Sequence, residues 1–128
     1  MIGDRRSGAS THSVLLAGKD WQARALLRAQ LLEEGLAVEA YESIPDALAS
    51  LKPGAKLPDL LIADISASDE PAADVQALSA WSRKVPIWII ASRSYMLEEG
   101  LRCRGFEMIL FRPVHIGEMV DQVWKKLG

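Results

Sequence analysis

The stretch Pro58-Asp59-Leu60-Leu61-Ile62-Ala63-Asp64-Ile65 restricts the possible folds of this chain more than any other. Its four consecutive apolar residues, bounded by Pro-Asp and by an aspartate, do not alternate with polar ones, so they predict a strand buried on both faces. Such strands belong to parallel sheets sandwiched between helical layers. Pro86-Ile87-Trp88-Ile89-Ile90-Ala91 repeats the pattern with a β-branched bias. Asp64 then sits at the C-terminal end of a central strand and opens into the crevice where open α/β sheets bind ligands.

The rest of the chain alternates around these two runs. Ser13 to Ala17 predicts a first strand, and Ala23, Leu26, Leu27 and Leu31 fall at helical spacing between Trp21 and Glu34, before Gly35. Ala37 to Tyr41 suits a second strand. Ser43 followed by Pro45 reads as a helix start, running to about Leu51 before Lys52-Pro53-Gly54 breaks it. Pro71 opens a helix through Val75, Leu78 and Trp81, and a short, weak helix spans about Tyr95 to Arg104. Met108 to Phe111 is a fifth strand, and Ile116, Met119, Val120, Val123 and Leu127 stripe a last helix. Five strand–helix alternations with right-handed crossovers predict a doubly wound α/β domain in three α/β/α layers.

Composition removes several function classes. At 128 residues the chain suits one domain, residues 13–128, preceded by a Gly-, Ser- and Arg-rich tail over residues 1–12. A net charge of −2 with interspersed signs supplies no field for nucleic-acid phosphates or an anionic membrane, so neither is expected as a partner. No apolar run approaches the ~20 residues of a membrane span. The single cysteine, Cys103, cannot form an internal bridge, which favours a reducing, cytoplasmic setting.

Taken in order, three motifs resemble the receiver domain of bacterial two-component response regulators over Ser13 to Leu127. Pro58 to Ile65 is similar to that family's Pro-Asp-Leu-apolar-apolar-apolar-Asp-apolar signature, Ser43-Ile44-Pro45-Asp46-Ala47-Leu48 to its second-helix start, and Gly105 lies seven residues before Arg112-Pro113 as its glycine precedes a Lys-Pro. The resemblance implies a flavodoxin-like strand order 2-1-3-4-5 and makes Asp64 the phosphoacceptor position. It further implies an acidic pair for Mg²⁺, a Ser or Thr ending the fourth strand, a lysine ending the fifth and an aromatic switch residue. This chain departs at each. The acidic pair is Gly18 and Lys19, with Asp20 one place late. The hydroxyl position is Ala91, with Ser92 next; the lysine is Arg112; the aromatic is Ile109.

These replacements reverse the sign of the expected site, which becomes Asp64 with Lys19 and Arg112. A unit charge pair at ~4 Å is worth roughly 4 kcal/mol at an effective dielectric near 20, and a divalent ion facing Lys19 is repelled about twice as strongly. Asp64 is therefore expected to pair with Lys19, Arg112 or both, with no metal or other cofactor bound. Asp20, Asp69 and Glu70 could lend carboxylates to a displaced metal site but read as solvated loop acids, and His115 reads as an exposed helix-start residue. Trp81 and Trp88 read as core, Trp21 as a cover for the site, and Trp124 as an outward residue on the last helix. With Tyr95 and Ile109, Trp124 would form an apolar docking or dimer face between the fifth strand and the last helix.

The leading expectation is a non-enzymatic, degenerate single-domain receiver that works by binding a protein partner, such as a histidine kinase or another signalling protein, as a monomer or homodimer. Its output is expected through that partner, because the chain ends about where a receiver ends. Two alternatives stand beside it: a phospho-accepting receiver that uses Asp64 and Mg²⁺ in a phosphorelay, and a small-molecule site in the crevice beside Asp64, Gly18, Asp20 and Ser92.

Overall fold

A computed structural model describes residues 12–93, 100–101 and 104–128. The elements are β1 (Ser13–Gly18), α1 (Trp21–Glu33), β2 (Ala37–Tyr41), α2 (Ile44–Ala49), β3 (Leu60–Asp64), α3 (Pro71–Trp81), β4 (Ile87–Ala91), β5 (Met108–Phe111) and α4 (Ile116–Leu127). The five strands form one parallel sheet in the order β2-β1-β3-β4-β5. The helix expected from about Tyr95 to Arg104 lies largely outside the described residues, as does Tyr95; within that span Leu101 is fully buried.

Strand alternation divides the core cleanly. Leu15, Ala17, Leu61, Ala63, Ile87 and Ile89 face one layer, where they meet Ile44 and Ala47 of α2 and Val75 and Leu78 of α3. Val14, Leu16, Leu60, Ile62, Trp88 and Ile90 face the other, against Leu27 and Leu31 of α1 and Met119, Val120 and Val123 of α4. β3 and β4 lie inside the sheet and are covered on both sides, so their residues are buried almost without exception. That is the physical origin of their unbroken apolar runs.

Local chemistry sets the element ends. The Asp20 carboxylate accepts from the Ala23 backbone N–H at 3.2 Å and caps α1, while Gly35, at φ 92°, ends it in the left-handed region glycine tolerates. Ser43 caps α2 through the Asp46 N–H at 3.1 Å, with proline in the first turn. Asp59 accepts from the Ser13 N–H at 2.8 Å and so ties the approach to β3 to the start of β1.

Candidate functional site

Parallel strands bring their C-terminal ends together, and here the register pairs Gly18 at the end of β1 directly with Asp64 at the end of β3. The approach is close. A Cβ built on Gly18 would lie 2.9 Å from the Asp64 Cβ, so only glycine fits beside that aspartate without displacing it. Any side chain at position 18, a carboxylate included, would push Asp64 aside, and the acid the chain offers instead is Asp20, at the cap of α1.

The Asp64 side chain is 12% exposed, and each of its oxygens accepts a hydrogen bond. Oδ1 accepts from the Ser66 backbone N–H at 2.9 Å and from the Ser66 hydroxyl, which closes the β3–α3 turn back onto the strand end. Oδ2 accepts from Arg112 Nη2 at 2.6 Å. The same Nη2 lies 3.1 Å from the Asp20 Oδ2, so one guanidinium nitrogen draws together a carboxylate from the start of α1 and another from the end of β3. Arg112 directly follows β5. The hydrogen bond to Asp64 holds its guanidinium above ordinary arginine basicity, against the opposing effect of burial and with help from the Asp20 charge. It is a permanent cation. Its Nε is buried and has no hydrogen-bond partner among the described residues.

Lys19 departs from the expected cluster. Its ammonium pairs with Asp69 across the mouth of the crevice and contributes no contact to Asp64. Asp20 departs in the other direction: one place late in the sequence, it reaches the site because a cap residue directs its side chain back toward the strand ends. The sequence signal for this was Asp20 itself, a strong N-cap residue ahead of an apolar-periodic segment. Arg24, one turn along α1, donates to the Gly18 carbonyl.

The remaining positions sit as follows. Ala91 is fully buried and supplies no hydroxyl at the end of β4; Ser92 follows it, half-buried. Ile109 packs half-buried against the α2–α3 side of the sheet, whereas Trp124 packs, also half-buried, against the α1–α4 side. Trp124 is therefore not the outward residue expected from the helical stripe. It lies four residues after Val120 and three before Leu127, on the flank of the buried stripe, and its large ring leans onto the core. The expected apolar face of Tyr95, Ile109 and Trp124 is split by the sheet between two layers, with Tyr95 outside the described residues. The large apolar side chains that are exposed among the described residues lie instead on α1: Trp21 at 64%, Leu26 at 51% and Leu32 at 41%. Sequence periodicity misassigned Leu26, which falls on the apolar stripe of Ala23, Leu27 and Leu31.

Two cavities adjoin Asp64. One, of about 360 Å³, lies between the loops after β1, β2 and β3 and is bordered by Gly18, Lys19, Ser43, Asp64, Ser68 and Asp69; Ser92 is not on its wall. The other, of about 70 Å³, lies under the guanidinium and is bounded by Asp20, Arg24, Asp64 and Arg112 above Leu16, Leu27, Ile62 and Ile90. Among the described residues, no group of three or more histidine, cysteine or carboxylate side chains is placed to hold a metal ion.

A five-stranded parallel sheet in this order, with an aspartate closing its middle strand, is the fold of response-regulator receiver domains of the CheY-like kind. The chain is similar in structure to a CheY-like receiver domain protein from Methanospirillum hungatei, at TM-score 0.77 and 17% identity over 92% of this chain and 94% of that one. It is similar also to a receiver protein from Burkholderia phymatum, at TM-score 0.73 and 23% identity over 92% and 96% of the two chains. The chemotaxis protein CheY4 of Vibrio cholerae matches at TM-score 0.75 and 18% identity, over 92% of this chain and all 100% of that one. No protein-family model and no curated protein matches the sequence. The likeness is thus one of fold.

Proposed function

We propose that this protein is a degenerate receiver that acts as a protein-interaction module in bacterial two-component signalling, binding a signalling partner without metal-dependent phosphorylation. The observation that carries the reading is the occupancy of Asp64: one oxygen is held by Ser66 and the other by Arg112. A carboxylate that is to attack phosphorus needs a free oxygen and a metal ion beside it to gather the phosphoryl oxygens. Here the guanidinium stands against both Asp20 and Asp64, so these residues do not fit a magnesium ion alongside it.

Two further features support a binding role over an enzymatic one. The buried Ala91 and the aliphatic Ile109 leave no hydroxyl and no ring to move in response to a phosphoryl group, and a ligand without differential contacts shifts no equilibrium. Trp21, Leu26 and Leu32 are large apolar side chains exposed on α1, which suits a protein partner, and Trp21 directly follows the site residue Asp20. No helix among the described residues is long and apolar enough to cross a membrane.

The test is titration with beryllofluoride and Mg²⁺, followed by tryptophan fluorescence and by amide shifts around Asp64. The spectra are expected to stay unchanged at millimolar ligand. Saturable binding would overturn the reading in favour of the phospho-accepting receiver.

A further inference from the structure

We infer that Arg112 is a covalently attached counter-ion, and that this one residue determines whether the Asp20–Asp64 carboxylate pair can take a divalent cation. The inference rests on the adaptor reading of the site and goes beyond it by making the exclusion of metal a property of a single side chain. Three observations carry it. First, Asp20 and Asp64 converge on one guanidinium nitrogen, at 3.1 and 2.6 Å, so the charge of Arg112 occupies the position a metal would need. Second, Lys19, the cation that sequence places nearest, is spent on Asp69 and does not reach Asp64. Third, the two carboxylates are each held by groups other than Arg112: Asp20 by the Ala23 N–H at 3.2 Å, Asp64 by the Ser66 N–H at 2.9 Å. Taking the guanidinium away therefore leaves two preset, uncompensated oxygen ligands instead of a collapsed site.

Space agrees. Removal of the guanidinium opens volume between the two carboxylates at the polar side of a cavity of about 70 Å³ whose remaining wall is largely aliphatic, from Leu16, Leu27, Ile62 and Ile90. That is room for an ion which, like Mg²⁺ or Mn²⁺, keeps several of its waters and takes only one or two carboxylates from the protein. The other cation on the cavity wall, Arg24, donates to the neutral Gly18 carbonyl, so its charge opposes a divalent ion equally in wild type and in every Arg112 variant and cancels from the comparison between them.

The experiment is Mn²⁺ titration of the full chain, with free ion counted by electron paramagnetic resonance, in wild type, Arg112→Gln, Arg112→Ala and the double variant Arg112→Gln with Asp20→Asn. Circular dichroism and amide spectra establish that each is folded, and Arg112→Gln keeps most of the side-chain volume should Arg112→Ala lose its fold. Loss of a unit charge a few ångströms from a divalent ion is expected to tighten Mn²⁺ binding by about 100-fold or more. Asp20→Asn should return the double variant to near the wild-type value. Folded Arg112 variants that bind no better than wild type would overturn the inference while leaving the adaptor reading intact. Beryllofluoride binding by the wild type would instead remove the adaptor reading. Tightened Mn²⁺ binding that survives Asp20→Asn would show that Asp20 is not the second ligand and would overturn the pairing proposed here.

Discussion

At position 18 the absence of a side chain decides what the neighbouring aspartate can be. A methyl group there would stand 2.9 Å from the Asp64 Cβ, well inside van der Waals contact, and the strand end is fixed by the β1–β3 ladder. Gly18→Ala is expected to cost about 1–3 kcal/mol by overpacking, read as a lowered urea midpoint, and to shift the Asp64 and Ser66 amides. An unchanged midpoint would mean that the strand ends yield more easily than their pairing suggests. Lys19→Ala provides the contrast. Its partner Asp69 is 81% exposed, so the pair is screened by water and its loss should change stability by less than about 1 kcal/mol. At this scale the sequence was readable for Asp64 and Arg112, whose positions follow from strand ends. It misled for Lys19 and left Asp20 open between pocket and solvated loop, because adjacent residues in a tight turn point in different directions and their spacing says nothing about which one returns to the site.

Between elements, Trp88 shows what pattern alone leaves out. The apolar run of β4 marks it as core, and it is 1% exposed, yet its indole N–H needs an acceptor. Glu107, just before β5, accepts it at 2.9 Å on one oxygen and takes Lys126 of α4 at 2.9 Å on the other. One carboxylate thus links β4, β5 and the last helix, a connection between side chains 19 residues apart that no periodicity encodes. Partial burial acts to raise the Glu107 pKa, but the hydrogen bonds from Lys126 and Trp88 outweigh it and hold the group below its ordinary 4.5. The sign follows. A carboxyl whose folded pKa is depressed adds stability that is present above the unfolded value near 4.5 and is lost as pH falls through the lower folded value. Glu107→Gln should therefore be less stable than wild type at pH 7, by no more than about 1 kcal/mol given solvent screening. The difference should shrink in urea melts below pH 4.5. A difference that grew on acidification would contradict the depressed pKa. Helix caps belong to the same scale, and Ser43→Ala is expected to cost roughly 1 kcal/mol through the lost bond to Asp46.

Across the whole molecule, the architecture was legible because each strand's burial pattern reports its place in the sheet. The unbroken runs of β3 and β4 mark the centre, and the half-buried β2 and β5 mark the edges. Helix surfaces were not legible in that way, since Trp124 and Leu26 exchanged their expected exposures within otherwise correct helices. The same architecture bears on whether the domain switches. A receiver that signals by phosphorylation must couple Asp64 to distant surfaces. Here Asp64 is instead one partner of a partly buried ion pair whose other end is also held by Asp20. Asp64→Asn should thus act as a stability mutation. Arg112 keeps Asp20 but loses its shorter, more buried contact, at a cost of about 1–3 kcal/mol for a charge-assisted hydrogen bond. Affinity for the partner, captured with wild-type protein and measured by calorimetry at a temperature where both forms are folded, should be unchanged, and acetyl phosphate with Mg²⁺ should leave it unchanged as well. A loss of affinity in Asp64→Asn without loss of stability would place Asp64 in signalling, because an ion pair that served only to hold the strand ends together would show itself first in the melt.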